Sequence, residues 1–184
     1  MISFDMAELM KGPGSPEIQR IREVIGRTTV PVMVSDTRAL VDALREEPAA
    51  DDGEKGCIGF CHTARTVIAV MAEMPDEFVV GAIMHPSFAV TDAADSPHLL
   101  VEQIQGEIYA GFGAVDQIAP LSAQQPLIDE LEKLGSRAVV EVHAHGGHGF
   151  LWPGTPAYDP DGSQSAWERT LEMFARRLGA PVAA

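Results

Sequence analysis

An α/β fold, with a mostly parallel sheet between two helical layers, is predicted by three features of this 184-residue sequence. Short runs rich in Val and Ile alternate with stretches of helical period from about Gly56 onward, which is the pattern of strand–helix–strand units. Runs such as Phe78 to Met84 are apolar at consecutive positions, as strands buried on both faces require. Gly, Pro and Asp punctuate the transitions, and neither an internal repeat nor a low-complexity linker interrupts them. With 46% hydrophobic residues, the chain can close one sizeable core, and residues 1–184 are expected to form a single domain.

The elements follow in order. Ser15-Pro16-Glu17 starts a helix running into Ile18 to Ile25, and Asp36 is expected to cap a second helix ending near Glu46. An acidic, turn-rich stretch from Pro48 to Gly56 leads to the first strand, Gly56 to Phe60. A helix is expected from Thr63 to Met74, a strand from Phe78 to Met84, and a loop through Pro86, Asp92 and Pro97. A short helix near Pro97 to Gln103 precedes a strand from Glu107 to Phe112. A helix from Ser122 to Leu134, a strand from Arg137 to His143 and a last helix from Ser163 to Leu178 complete the chain. Leu127, Leu131 and Leu134 recur at helical spacing and belong to the core, with Met71, Met74 and Met84 filling gaps in it.

Charge excludes several functions. Thirteen basic against 27 acidic residues give a net charge of −14, which repels phosphate backbones and anionic bilayers and argues against nucleic acid as a partner. Met1 to Glu8 carries no basic, apolar leader pattern, and no stretch approaches the ~18 apolar residues of a membrane span. The expected location is cytoplasmic. Cys57 and Cys61 would lie about 13 Å apart along an extended strand, beyond the ~7 Å reach of a disulfide, so both are expected as free thiols.

Cys61 sits in Cys57-Ile58-Gly59-Phe60-Cys61-His62-Thr63-Ala64-Arg65, where an apolar run meets a glycine, a reactive side chain and then a helix. That is the outline of a nucleophile elbow, in which a sharp strand-to-helix turn lifts the nucleophile above the sheet. The helix dipole favours thiolate at this position. Two more reactive residues follow strands: Asp116, after Glu107 to Phe112, and His148, after the last strand. Working sites of open parallel sheets lie beyond the carboxyl ends of the strands. The order nucleophile, acid, histidine is that of α/β-hydrolases.

Elbow, acid loop, Ser96-Pro97-His98, Gly147-His148-Gly149-Phe150 and the terminal Ala166-Trp167-Glu168-Arg169-Thr170-Leu171 together resemble the dienelactone hydrolase family, from about Asp36 onward. The resemblance implies a three-layer α/β-hydrolase-like fold and hydrolysis of lactones or related esters in the breakdown of aromatic compounds. It makes Cys61 the nucleophile, His148 its base and later acid, and Asp116 the group that orients the imidazole. The backbone N–H of His62 becomes one oxyanion donor, and the mechanism needs no metal or organic cofactor. Phe150 and Trp152 are expected beside the substrate.

Three departures from the family pattern stand out. Only about 55 residues precede the elbow strand and they read as helix and loop, so the fold is expected to be amino-terminally truncated, without the strand that brings the second oxyanion donor. The Gly56 to Phe60 strand then becomes an apolar edge open to pairing with another chain. Thr63 replaces the second glycine of the elbow and is expected to strain or reshape it. Trp152 stands where some members carry an arginine for a substrate carboxylate, and offers an apolar wall instead. Competing readings are a truncated domain that is inactive or needs a partner, and a metallohydrolase built on His143, His145 and His148. His62, His85 and His98 are read as local hydrogen-bonding residues. Arg65, one turn into the elbow helix, is read as the partner of a nearby carboxylate or of an acidic substrate group.

Overall fold

The computed structural model describes residues 15–179; the Met1 to Glu8 stretch discussed above lies outside them. Helices α1 (Pro16–Arg27) and α2 (Val30–Arg45) come first. Strand β1 (Lys55–Phe60), a 3-10 turn (Cys61–Thr63) and α3 (Ala64–Glu73) follow, then β2 (Phe78–Met84), a second 3-10 segment (Pro97–Gln103) and β3 (Glu107–Gly113). Helix α4 (Leu121–Lys133), a third 3-10 turn (Gly135–Arg137), β4 (Ala138–His143) and α5 (Pro160–Leu178) complete the order.

Asp36 caps no helix. Helix α2 begins six residues earlier, after an extended Thr29, with a proline in its first turn, where the preset φ and missing N–H suit a helix start. The apolar positions settle the boundary, because Val30 and Met33 are buried against Ala69 of α3. Asp36 therefore lies in mid-helix. Helix α5 starts at Pro160 rather than Ser163, because the Asp159 side chain accepts the Gly162 N–H and caps it.

The four strands pair in the order β1-β2-β3-β4, all parallel. Alternation along β2 divides the core in two. Ile83 faces a cluster built from α3 and α4 with Ile68, Met71, Leu127 and Leu131, while Val80, Ala82 and Met84 face α5 through Ala166 and Met173. Helices on both faces make this a three-layer α/β structure, and they explain why β2 is buried at every position. Strand β1 pairs with β2 alone and forms one edge of the sheet among the described residues. The consecutive order brings the carboxyl ends of all four strands to one side, where the loops after β1, β3 and β4 meet.

Candidate active site

The turn after β1 forms a tight elbow. Cys61 has φ +52°, a left-handed conformation that non-glycine residues adopt rarely and at a cost of about 1–2 kcal/mol. Gly59 makes the turn possible: a Cβ there would lie 2.6 Å from the Thr63 carbonyl oxygen and 2.8 Å from Val67 Cγ2. Thr63 closes the elbow instead of straining it. Its Oγ1 accepts the Phe60 N–H and donates to the Phe60 carbonyl, both at 2.8 Å, so it joins the last strand residue to the first turn of the helix.

Asp116 is held by its own loop. Its Oδ1 accepts the backbone N–H groups of Ile118 and Ala119, each at 2.8 Å, in the turn geometry that Asp side chains favour. Oδ2 lies 2.8 Å from His148 Nδ1. The acid loop nests into the histidine loop, with Ala114 N–H bonded to the His143 carbonyl and Val115 N–H to that of Gly146. This approach needs Gly113, whose Cβ would lie 2.4 Å from the Gly146 carbonyl oxygen. On its other side, His148 Nε2 lies 3.1 Å from Cys61 Sγ. The fold thus joins Cys61, His148 and Asp116, spread over 88 residues of chain, in one hydrogen-bonded row.

Electrostatics favour charge separation along that row. Burial alone would raise the Cys61 thiol, but hydrogen bonds from His148 and Ser87, the His148 charge and the His62 backbone N–H outweigh it and leave the thiol below its ordinary value. Burial would likewise lower His148, yet its bonds to Cys61 and Asp116 and their negative charges leave it raised. Both shifts stabilise thiolate with imidazolium. Cys57 is the opposite case, since burial pushes it up to about 12. Both cysteines are free thiols.

The remaining histidines divide differently from the expectation. His98 behaves as read, with Nδ1 2.8 Å from Ser96 Oγ. His85 does not: both ring nitrogens are buried and have no hydrogen-bond partner among the described residues. Its ring stands edge-to-face to His148 and packs near Phe60 and Phe150. His62 Nδ1 also lacks a partner among the described residues, and the ring meets the edge of Phe88. The three histidines of the metal reading do not converge. His143 is buried with Nε2 3.1 Å from the Tyr109 hydroxyl, His145 is exposed, and His148 is committed to Asp116 and Cys61. Among the described residues no group of three His, Cys, Asp or Glu side chains is placed to hold a metal ion.

Phe150, expected beside the substrate, has no exposed surface; it sits beneath His85 and His143 as part of the core on the α5 side. Trp152 is exposed, with its ring 5.3 Å from that of Phe60. A cavity of about 420 Å³ opens beside His148, lined by Val115, Gln117, Ile118, His145 and Pro156. A second cavity, of about 360 Å³, lies between Arg65, Phe88, Asp95 and the end of α1. Arg65 reaches the Thr28 carbonyl through Nη2 and, among the described residues, forms no ion pair with a carboxylate.

One residue absent from the sequence reading touches the sulfur directly: Ser87, in the loop after β2, with Oγ 3.3 Å from Cys61 Sγ. The rule that pointed to Asp116 and His148 points to this loop too, because His85-Pro86-Ser87-Phe88 follows the carboxyl end of a central strand.

An elbow cysteine, an acid loop and a histidine loop at the carboxyl end of a parallel sheet define an α/β-hydrolase-type protein. A sequence profile of the dienelactone hydrolase family matches residues 8–178, and the chain belongs to that family. It is 24% identical over 170 residues to the "Putative carboxymethylenebutenolidase" of Synechocystis sp., covering 89% of this chain and 68% of that one. Among solved structures, the "Putative Dienelactone Hydrolase" of Klebsiella pneumoniae superposes with a TM-score of 0.73 at 16% identity, over 95% of this chain and 68% of the other. A dienelactone hydrolase-like promiscuous phosphotriesterase from metagenomic libraries gives a TM-score of 0.67 at 19% identity, over 88% and 67% of the two chains. At these identities the structural matches speak for the fold. Among the described residues no helix is long and apolar enough to cross a membrane.

Proposed function

We propose that this chain hydrolyses lactones or other carboxylic esters through a Cys61–His148–Asp116 triad and a thioester intermediate. One observation carries the reading: a single imidazole bridges Cys61 Sγ and Asp116 Oδ2 at hydrogen-bond distance on both sides. His148 takes the thiol proton at Nε2, and Asp116 holds the Nδ1–H that fixes the tautomer and steadies the imidazolium. The thiolate attacks the ester carbonyl; the C–S bond forms and the carbonyl oxygen becomes an oxyanion facing the His62 N–H. Collapse expels the ester oxygen, which takes the proton from His148. A water molecule, deprotonated by the now neutral imidazole, attacks the thioester and releases the acid, and the thiolate leaves. Trp152 and the apolar residues beside His148 form the rim against which an uncharged part of the substrate would rest.

A second reading keeps this chemistry but makes it depend on another chain. Among the described residues no strand flanks β1 on the side opposite β2, the side from which the family resemblance brings the second oxyanion donor. Hydrolysis of phenyl esters and simple lactones, measured with and without iodoacetamide and again after chelation, tests both readings. Loss of activity on alkylation, with none on chelation, agrees with the thiol mechanism; activity immune to alkylation would overturn it. Specific activity that is constant over a wide protein concentration favours the self-sufficient chain, whereas activity that rises with concentration favours completion of the site by a second copy.

A further inference from the structure

Ser87 is a buried polar side chain beside the sulfur that the proposed mechanism leaves unused. It is 3% exposed, and the partner of its hydroxyl is Cys61 Sγ at 3.3 Å. The backbone aims it there. Ser87 N–H donates to the Cys61 carbonyl at 3.1 Å, and His85 N–H donates to the Gly111 carbonyl at 2.8 Å, so the loop is tied both to the elbow and to the neighbouring strand β3. His85 and Phe88, on either side of Pro86-Ser87, have φ +39° and +56°. Neither is glycine, and two left-handed residues within four positions are a cost that the fold sustains only where other contacts over-determine the loop. The strained segment ends with one hydroxyl held against the reacting sulfur.

Proton counting gives the direction of that bond. The thiol has one hydrogen, and His148 Nε2 is its acceptor because Nδ1 faces the Asp116 carboxylate. The sulfur must then accept from Ser87. When the proton moves to Nε2, the sulfur carries a full charge and accepts from the imidazolium, from the Ser87 hydroxyl and from the His62 N–H. Hydrogen bonds to an ionised partner are roughly twice as strong as neutral ones, so the Ser87 bond strengthens when thiolate forms and weakens when the sulfur is acylated.

Building on the thioester mechanism proposed above, we propose that Ser87 is a catalytic residue: its hydroxyl donates to the Cys61 thiolate, favouring its formation before attack and its departure when the thioester breaks. No proton leaves Ser87 in either step. This donor comes from the β2 loop, on the inner side of the elbow, and is distinct from the donors that serve the carbonyl oxygen.

The test is the pH dependence of Cys61 alkylation by iodoacetamide, followed by mass spectrometry, in the native chain and in Ser87→Ala and Ser87→Thr. Loss of the hydroxyl should raise the midpoint by about one pH unit, as expected for one charge-assisted hydrogen bond. Ser87→Thr, which keeps the hydroxyl, should return it towards the native value. Hydrolysis by Ser87→Ala should fall about tenfold below the midpoint and recover as pH rises above it, a pattern that misfolding cannot produce. An unchanged midpoint in Ser87→Ala overturns the proposal. If that variant does not fold, Ser87→Thr and Ser87→Gly carry the same comparison. Alkylation does not require ester turnover, so a chain without hydrolase activity but with a Ser87-dependent midpoint would refute the ester function and leave standing only the Ser87 bond to the Cys61 thiolate.

Discussion

The imidazoles of His85 and His148 stand edge to face with ring centroids 4.8 Å apart, yet they are driven in opposite directions. Burial, and then the charge on His148, push His85 down to about 4, with Asp116 opposing only in part. His148 is raised. Near neutral pH the lowered His85 ring is neutral and adds no positive charge beside His148.

The pair has a stability signature. Unfolded, His85 titrates near its ordinary 6.5, so between about 6.5 and about 4 the unfolded chain binds a proton that the folded chain refuses. Stability should therefore fall as pH drops through that window and level off below it, by on the order of 3 kcal/mol. His148 contributes with the other sign, stabilising at low pH and losing its contribution as pH rises past its raised value. His85→Asn, which tolerates the positive φ at this position, should flatten the acid limb while leaving the alkaline side unchanged. Urea unfolding at pH 4 to 8 measures both.

The two thiols should separate cleanly. Bonds from His148 and Ser87 lower the Cys61 thiol against its own burial, whereas burial pushes Cys57 up to about 12. One equivalent of iodoacetamide at pH 7 should label Cys61 and leave Cys57 unmodified in the folded chain, with both labelled in denaturant. Peptide mass spectrometry reads the outcome.

Asp116→Asn should leave the loop intact and damage the chemistry. An amide oxygen can still accept the Ile118 and Ala119 N–H groups, but the amide nitrogen would then face His148 Nδ1 and favour the wrong tautomer. A loss in kcat on the order of 10²-fold to 10⁴-fold is expected, with a melting temperature within a few degrees of the native chain. Steady-state ester hydrolysis with calorimetry on the same preparation checks the split.

The elbow depends on one glycine and one hydroxyl. Gly59→Ala forces a methyl against the Thr63 backbone and should cost about 1–3 kcal/mol. Thr63→Ala removes two hydrogen bonds to Phe60 and should cost about 1 kcal/mol, since the site is exposed and water can replace them. Both would be read as shifts in urea midpoint, and only Gly59→Ala should also misplace Cys61 and slow its alkylation.

Most of the strand–helix order was legible in the chain because each element carries its own local signal. The unbroken apolar run of β2 declares burial on both faces, and the spacing of Leu127, Leu131 and Leu134 declares the buried side of α4. Asp36 misled because a good capping residue is common inside helices, and only the burial of Val30 and Met33 against α3 shows where α2 begins. Phe150 misled in the same way: its place two residues after His148 in the chain does not say that its ring turns down into the core.

Residue order and strand ends were enough to name Cys61, Asp116 and His148, since a parallel sheet sends every strand end to the same side. Other features required tertiary structure, because they arise between segments that do not adjoin in the chain. The φ of Cys61 follows from the close approach of Gly59 to Thr63 and Val67. Thr63 serves the elbow because Phe60 offers it both a donor and an acceptor. The His85 ring reaches His148 across 63 residues, and Ser87 meets the sulfur across 26. Local sequence determines which backbone each segment prefers, whereas packing decides which side chains then share a charge.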